Sequence, residues 1–269
     1  AAGEPATAAQ AGARAFTAVQ QAVALAVPMV EERPVRDLSP GQRVTVELPV
    51  RFDIAGGWTD TPPACLERPG AVLNLALLLE GRPSVGAVVE VLDRPEVRLR
   101  LGDETVVRYD HVPACGLEHP HLLPLTALRL CGWADGDGRI SQGCALHLWS
   151  RAPRGSGLGA SSILGATVVS ALQRAAGRLG EGPESIRNVA ELVLVLEQRM
   201  TTGGGWQDQL GGLVPGVKLC TSRPTRPLAL SIEPVPLLDE VVAIGAYACG
   251  CKQVVELRQG GLPVVHIEI

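Results

Sequence analysis

Arg151-Ala152-Pro153-Arg154-Gly155-Ser156-Gly157-Leu158-Gly159-Ala160-Ser161-Ser162 follows a strand-like run over 144–150 and opens a helix-like run that continues to about Arg178. Glycines at alternate positions let the backbone take left-handed conformations and approach an anion with no Cβ in the way. Successive N–H groups can then point at phosphate oxygens. The helix that follows adds its free N–H groups and the positive end of its dipole. Ser161 and Ser162 offer hydroxyls for capping or for a metal ion. A glycine-rich connection with ordinary serine caps is the alternative. The combination of a proline, three alternating glycines and a double serine at a strand-to-helix junction favours phosphate binding.

Upstream of this loop the chain is rich in strands. Val44, Val46, Leu48, Val50, Phe52 and Ile54 fall on one face of an alternating run, which predicts one half-buried strand. It leads into Gly56-Gly57 and then Trp58-Thr59-Asp60-Thr61-Pro62-Pro63, a turn that sets an acid at a strand end. Further strands are predicted over 71–79, 84–91, 97–101, 105–109 and 144–150, with a helix over 121–130. Residues 7–27, rich in alanine and glutamine, read as a linker helix ending near Pro28, and the prolines in 31–41 mark the start of the folded domain. Downstream of the loop a second helix is predicted over 183–200. Strands and helices are partly segregated, so the fold class is α+β and not an alternating parallel sheet.

Three more segments carry candidate chemistry. In Thr202-Gly203-Gly204-Gly205-Trp206-Gln207-Asp208-Gln209-Leu210-Gly211-Gly212 an aspartate sits in what reads as a loop stiffened by glycines. It could accept a proton from a substrate hydroxyl, or be an ordinary surface turn. Glu197 ends a helix whose stretch from Leu192 to Leu196 is apolar all round. A carboxylate at the edge of the interior needs a partner, which could be magnesium on a nucleotide or an arginine such as Arg199. Asp60 could hydrogen-bond sugar hydroxyls and Trp58 could stack on a pyranose face, or the segment could be a hairpin with a partly exposed tryptophan.

Composition removes other classes. With 24 basic and 28 acidic residues interspersed, the net charge of −4 gives no concentrated positive field for nucleic acid or an acidic membrane surface. Lys218 and Lys252 are the only lysines, and neither follows the last glycine of a P-loop or stands in a protein-kinase or Schiff-base setting. The seven cysteines are scattered with no C-x-x-C pair, and read as reduced, mostly buried thiols of a cytosolic protein. His119 and His121 flank a proline and read as a turn. No signal peptide or membrane helix is evident, and the absence of an initiator methionine suggests a piece of something longer.

Together these segments resemble the GHMP kinases. The run from Arg154 to Ser162 is similar to that family's phosphate loop, with an alanine ahead of the serines. Pro49-Val-Arg-Phe-Asp-Ile-Ala-Gly-Gly-Trp-Thr-Asp60 is similar to the first motif of its sugar-kinase members, with the same spacing from arginine to aspartate. The wording of 51–63 and of 203–209 looks closest to the fucose and heptose-phosphate kinases of the family. The resemblance covers about 43–238, between the linker segment 1–42 and a tail over 239–269.

It implies an α/β sandwich with helices packed on one face, and ATP and magnesium as cofactors. It also implies phosphorylation of the anomeric hydroxyl of L-fucose, or of a heptose phosphate or galactose. By position, Asp208 would be the base with Arg51 beside it, and Pro153 and Gly155 to Ser162 would wrap the ATP phosphates. Ser161 and Glu197 would hold magnesium, while Asp60, Gly57, Trp58 and Gly204 would meet the sugar. The family's second, mostly helical lobe with a third glycine-rich motif has no recognised counterpart in 239–269, so an incomplete site is expected, with nucleotide or sugar binding alone as the other outcome.

Overall fold

Pro49 divides the first predicted strand into two, because a proline has no N–H to give a sheet ladder. In the computed structural model, which describes residues 8–26, 34–236 and 265–268, β1 (Arg43–Leu48) and β2 (Val50–Ala55) belong to different sheets. The single apolar face expected from Val44 to Ile54 is therefore not kept. Val44, Val46, Leu48 and Val50 are buried, but Phe52 is half-buried, Ile54 is exposed, and Arg51 turns inward with 8% of its surface exposed. Each half takes its facing from its own sheet, and that places an arginine in the interior.

The remaining elements are α1 (Ala8–Ala26), α2 (Ala64–Glu67), β3 (Gly70–Leu77), β4 (Val85–Val91), β5 (Val97–Leu101), β6 (Val107–Tyr109) and α3 (Leu122–Leu130). After them come β7 (Cys144–Ser150), α4 (Ala160–Ala175), α5 (Pro183–Arg199), α6 (Gln207–Leu213), β8 (Val217–Arg223), β9 (Ala229–Pro234) and β10 (Val265–Glu268). The larger sheet has the order β10-β1-β4-β7-β5-β6, antiparallel except for the parallel pair β5 and β7. The smaller is antiparallel, in the order β2-β3-β8-β9.

Helix α4 is apolar around most of its circumference because it has sheet on one side and helices on the other. Ile163, Ala166, Val168, Val169, Ala171 and Leu172 are fully buried. It packs on β1, β4 and β7 of the larger sheet and on β2, α3, α5 and α6. Val44, Val46, Ala87, Val89, Leu146 and Leu148 alternate inward from β1, β4 and β7 to meet it, and the outer face of that sheet carries Arg43, Glu90, Arg98 and Arg100. Helices thus lie on one face of this sheet in an α+β fold.

Several elements differ from expectation. Residues 207–213 are helix α6, not loop, and β8 and β9 were not predicted. Helix α1 lies against α5: the Gln20 side chain donates to the Gln198 carbonyl, and Leu228 N–H donates to the Ala26 carbonyl at 2.7 Å. The 239–269 tail falls mostly outside the described residues, and β10 adds to the edge of the larger sheet beside β1. Cys65, Cys144 and Cys220 are buried thiols, while Cys249 and Cys251 lie outside the described residues. His121 meets the Tyr109 hydroxyl at 2.6 Å. No helix of the described residues is long and apolar enough to cross a membrane.

Candidate active site

Gly155, Gly157 and Gly159 have φ of 72°, 71° and 71°, the left-handed region that glycine enters without penalty. Ser156 N–H is taken by the Pro153 carbonyl at 3.3 Å. The N–H groups of Gly155, Gly157, Leu158 and Gly159 make no hydrogen bond among the described residues. Gly159 caps α4 and no side chain does, so the helix start is open as well. The loop borders a cleft of about 870 Å³ that also reaches Arg51, Asp208, residues 101–104 and Trp149.

Residues 101–104 and Trp149 carry no motif and were missed in the sequence. The one available signal is Gly86, where a Cβ would stand 2.0 Å from the Trp149 ring. That glycine leaves room for the indole on the neighbouring strand.

Arg51 and Asp208 meet at the mouth of the loop. Nε of Arg51 donates to Oδ1 of Asp208 at 2.9 Å, and a second guanidinium nitrogen bonds the same oxygen. The third nitrogen donates to the Gly157 carbonyl at 2.9 Å and lies 3.1 Å from Oδ2 of Asp53. A planar fork of donors suits this three-way grip, which a lysine could not make. The approach is close enough that a Cβ on Gly159 would fall 3.0 Å from the Asp208 carboxylate, and one on Gly211 would fall 2.6 Å from Cβ of Arg51. Burial pushes the Asp53 carboxyl up to about 6 despite the neighbouring Arg51 charge.

Oδ2 of Asp208 faces the Ser162 hydroxyl at 3.5 Å. The Thr202 hydroxyl donates to the carboxylate of Glu197 at 3.1 Å, and the Ser162 hydroxyl lies close to that carboxylate as well. Burial raises the Glu197 carboxyl above its usual range, opposed by those hydroxyls and by the Gly204 N–H. Ser161, expected beside Glu197, is exposed and lines the cleft, whereas Ser162 joins the two acids. Neighbouring helical positions point about 100° apart, so one of two adjacent serines faces inward. A Cβ on Gly204 would stand 1.8 Å from Oε2 of Glu197, so this glycine lets the turn lie on the carboxylate.

Asp60 differs from expectation. It is fully buried, and its Oδ2 accepts the Gln207 N–H at 2.9 Å, which secures the first residue of α6 and leaves no surface for a sugar. Burial raises its carboxyl, opposed chiefly by that N–H. Gly205 packs so tightly on it that a Cβ would lie 2.1 Å from Oδ2. Trp58, by contrast, is 80% exposed and held in the left-handed region at φ 73°. Next to it, Oε1 of Gln207 and Oδ2 of Asp53 lie 3.6 and 4.0 Å from where a Cβ on Gly57 would stand. Oε1 of Gln207, Oδ1 of Asp53 and Oδ1 of Asn74 are buried acceptors without a hydrogen-bond partner among the described residues.

A glycine loop at the head of the central helix α4 thus faces the Arg51–Asp208 pair. Over residues 125–214 the sequence matches the GHMP kinases N terminal domain, and the protein carries that domain. It is 44% identical over 206 residues to the bifunctional fucokinase/GDP-fucose pyrophosphorylase of Arabidopsis thaliana, covering 75% of this chain and 19% of that one. It is 38% identical over 203 residues to the L-fucokinase/L-fucose-1-P guanylyltransferase of Bacteroides fragilis, covering 69% and 21%. The chain therefore spans about a fifth of the length of these curated relatives. In fold it is similar to a D-glycero-D-manno-heptose 1-phosphate kinase from Bacteroides thetaiotaomicron, with a TM-score of 0.57 at 18% identity over 75% of this chain and 62% of the other.

Proposed function

We propose that this chain is the ATP-binding and phosphoryl-transfer part of a sugar kinase that acts on the anomeric hydroxyl of L-fucose and gives β-L-fucose 1-phosphate, a salvage step toward GDP-fucose in the cytoplasm. The observation that carries the reading is the Arg51–Asp208 pair at the mouth of a loop in which the amides of Gly155, Gly157, Leu158 and Gly159 have no partner among the described residues. The fucokinase names of the two curated relatives support fucose as the substrate.

In this reading the free amides of Gly155, Gly157, Leu158 and Gly159 and the open N-terminus of α4 hold the ATP phosphates. Arg51 already spans from the Gly157 carbonyl to Asp208 and sets its charge beside the γ-phosphate. Asp208 accepts the proton of the attacking sugar hydroxyl as the bond to phosphorus forms, with ADP as leaving group. Trp58, which is exposed, stacks on the sugar beside Gly57. Asp60 and Gly204 work from beneath, holding α6 and the turn before it.

Among the described residues no three His, Cys, Asp or Glu side chains cluster to hold a metal alone. Magnesium bound chiefly by substrate phosphates needs only one or two carboxylates, and Glu197 with the serine hydroxyls at the head of α4 fits that donor set. When bound, it would neutralise charge on the β- and γ-phosphates.

The test is ADP release by the purified chain with fucose, galactose, mannose and a heptose phosphate, with and without magnesium. Release stimulated most by fucose is expected. ATP-raised thermal stability with no sugar-dependent release would replace the kinase reading with nucleotide binding alone.

A further inference from the structure

Helix α6 brings Asp208 to the cleft, yet at seven residues with two glycines it has little propensity to form by itself. It must be held from outside. The last carbonyls of a helix lack partners within it. For Gly211 the partner would be the N–H of residue 215, which is Pro215 and has none. Lys218, fully buried in β8, fills that place: Nζ donates to the Gly211 carbonyl at 2.8 Å and to the Gly216 carbonyl at 3.3 Å.

The other end of the helix is gripped from the next strand. Asn74 of β3 stands opposite Lys218 in the sheet register, and its Nδ2 donates to the Gln207 carbonyl at 3.2 Å. Asp53 of β2 stands opposite Asn74 and pairs with Arg51. A row of three side chains, Lys218, Asn74 and Asp53, thus crosses the smaller sheet beneath α6 and ends on the arginine that binds Asp208.

We propose that Lys218 is a positioning residue for Asp208, fixing the far end of α6 while Asn74 fixes the near end. This rests on the reading of Asp208 as the base. Burial pushes the Lys218 amine down to about 7, opposed by Cys220 and Asp53. A neutral amine still donates two hydrogens, so both carbonyls are held in either protonation state.

The test compares Lys218→Met and Asn74→Ala with the unaltered chain. Lys218→Met should lower sugar-dependent kcat by roughly 10- to 100-fold with nucleotide affinity unchanged, as for a displaced catalytic group. The double variant Asp208→Asn/Lys218→Met should be no slower than Asp208→Asn alone, because residues that act as a unit do not add. Hydrogen exchange should quicken in 207–214 and stay unchanged in α4. Wild-type kcat in Lys218→Met, or losses that multiply in the double variant, would overturn the proposal. If Lys218→Met does not fold, the same kcat loss, non-additivity and exchange are read on Asn74→Ala. Should the unaltered chain turn over no sugar, the kinase reading fails and exchange alone decides: local loss of protection in α6 supports the positioning role, and unchanged protection removes it.

Discussion

Nε of Arg51 lies 2.9 Å from Oδ1 of Asp208 across 157 residues of chain. That contact ties the second strand to the helix after the glycine-rich turn, and it sits beside the loop of Gly155, Gly157 and Gly159. Arg51 is 8% exposed, so the pair is largely shielded from water and its geometry is held by the surrounding packing.

Removing the Asp208 charge while keeping the side chain's shape tests its proposed role as base directly. Asp208→Asn should lower turnover by roughly 10² to 10⁴, the usual contribution of a general base, with nucleotide affinity largely kept. Steady-state ADP release alongside fluorescent-nucleotide titration would check both halves, and unchanged turnover would remove Asp208 from the mechanism.

The loop glycines should separate into two behaviours. A Cβ on Gly157 meets nothing within 4 Å, so Gly157→Val acts through the left-handed backbone and should weaken ATP binding. Gly159→Ala would in addition press on the Asp208 carboxylate at 3.0 Å and should reduce kcat more than affinity. Paired measurements of Kd for ATP and kcat tell the two apart.

Gly204→Ala should disturb Glu197, because the added carbon would stand 1.8 Å from a carboxylate oxygen and one of the two must move. The expected result is a higher magnesium concentration for half-maximal ADP release. An unaltered magnesium dependence would argue against Glu197 as part of the metal site.

Asp53 gives a pH-dependent stability effect. Its carboxyl is raised from 3.8 to about 6 in the folded protein, first by burial, so the fold binds the proton more tightly than the unfolded chain does. The stabilising contribution of the protonated form is therefore present below about pH 4 and is lost as pH rises through about 6. Asp53→Asn should raise the melting temperature at pH 8 by a few degrees, with the gap narrowing toward pH 4.5. A variant less stable at pH 8 would mean that the ion pair with Arg51 outweighs the burial cost.

The parts legible in the sequence are those with local causes. Alternating glycines before an apolar helix declare the loop from 153 to 162, and the positive φ of Gly155, Gly157 and Gly159 follow from that chemistry. The long helices α4 and α5 were readable from their starts, the glycine-rich loop before one and Pro183 at the head of the other, and β3 to β5 and β7 from alternation or apolar runs. Helix α6 was not, because Gly211 and Gly212 argue against a helix locally. Their reason is contact: Arg51 and Ile163 occupy the space a Cβ would need. The run from Val44 to Ile54 misled because Pro49 passes the chain from one sheet to the other, after which each side answers to a different neighbour.

The sequence by itself determined a left-handed glycine loop at a strand-to-helix junction, the α+β class and the candidate acids, because backbone freedom at glycine and apolar patterning act over a few residues. Tertiary structure alone decided that Arg51 faces inward to Asp208, that Ser162 and not Ser161 joins the two acids, that Asp60 is buried under α6, and that Lys218 and Asn74 grip that helix. Each of these depends on which strands pair and in what register, a free energy of packing summed over the whole molecule that no short stretch of chain contains.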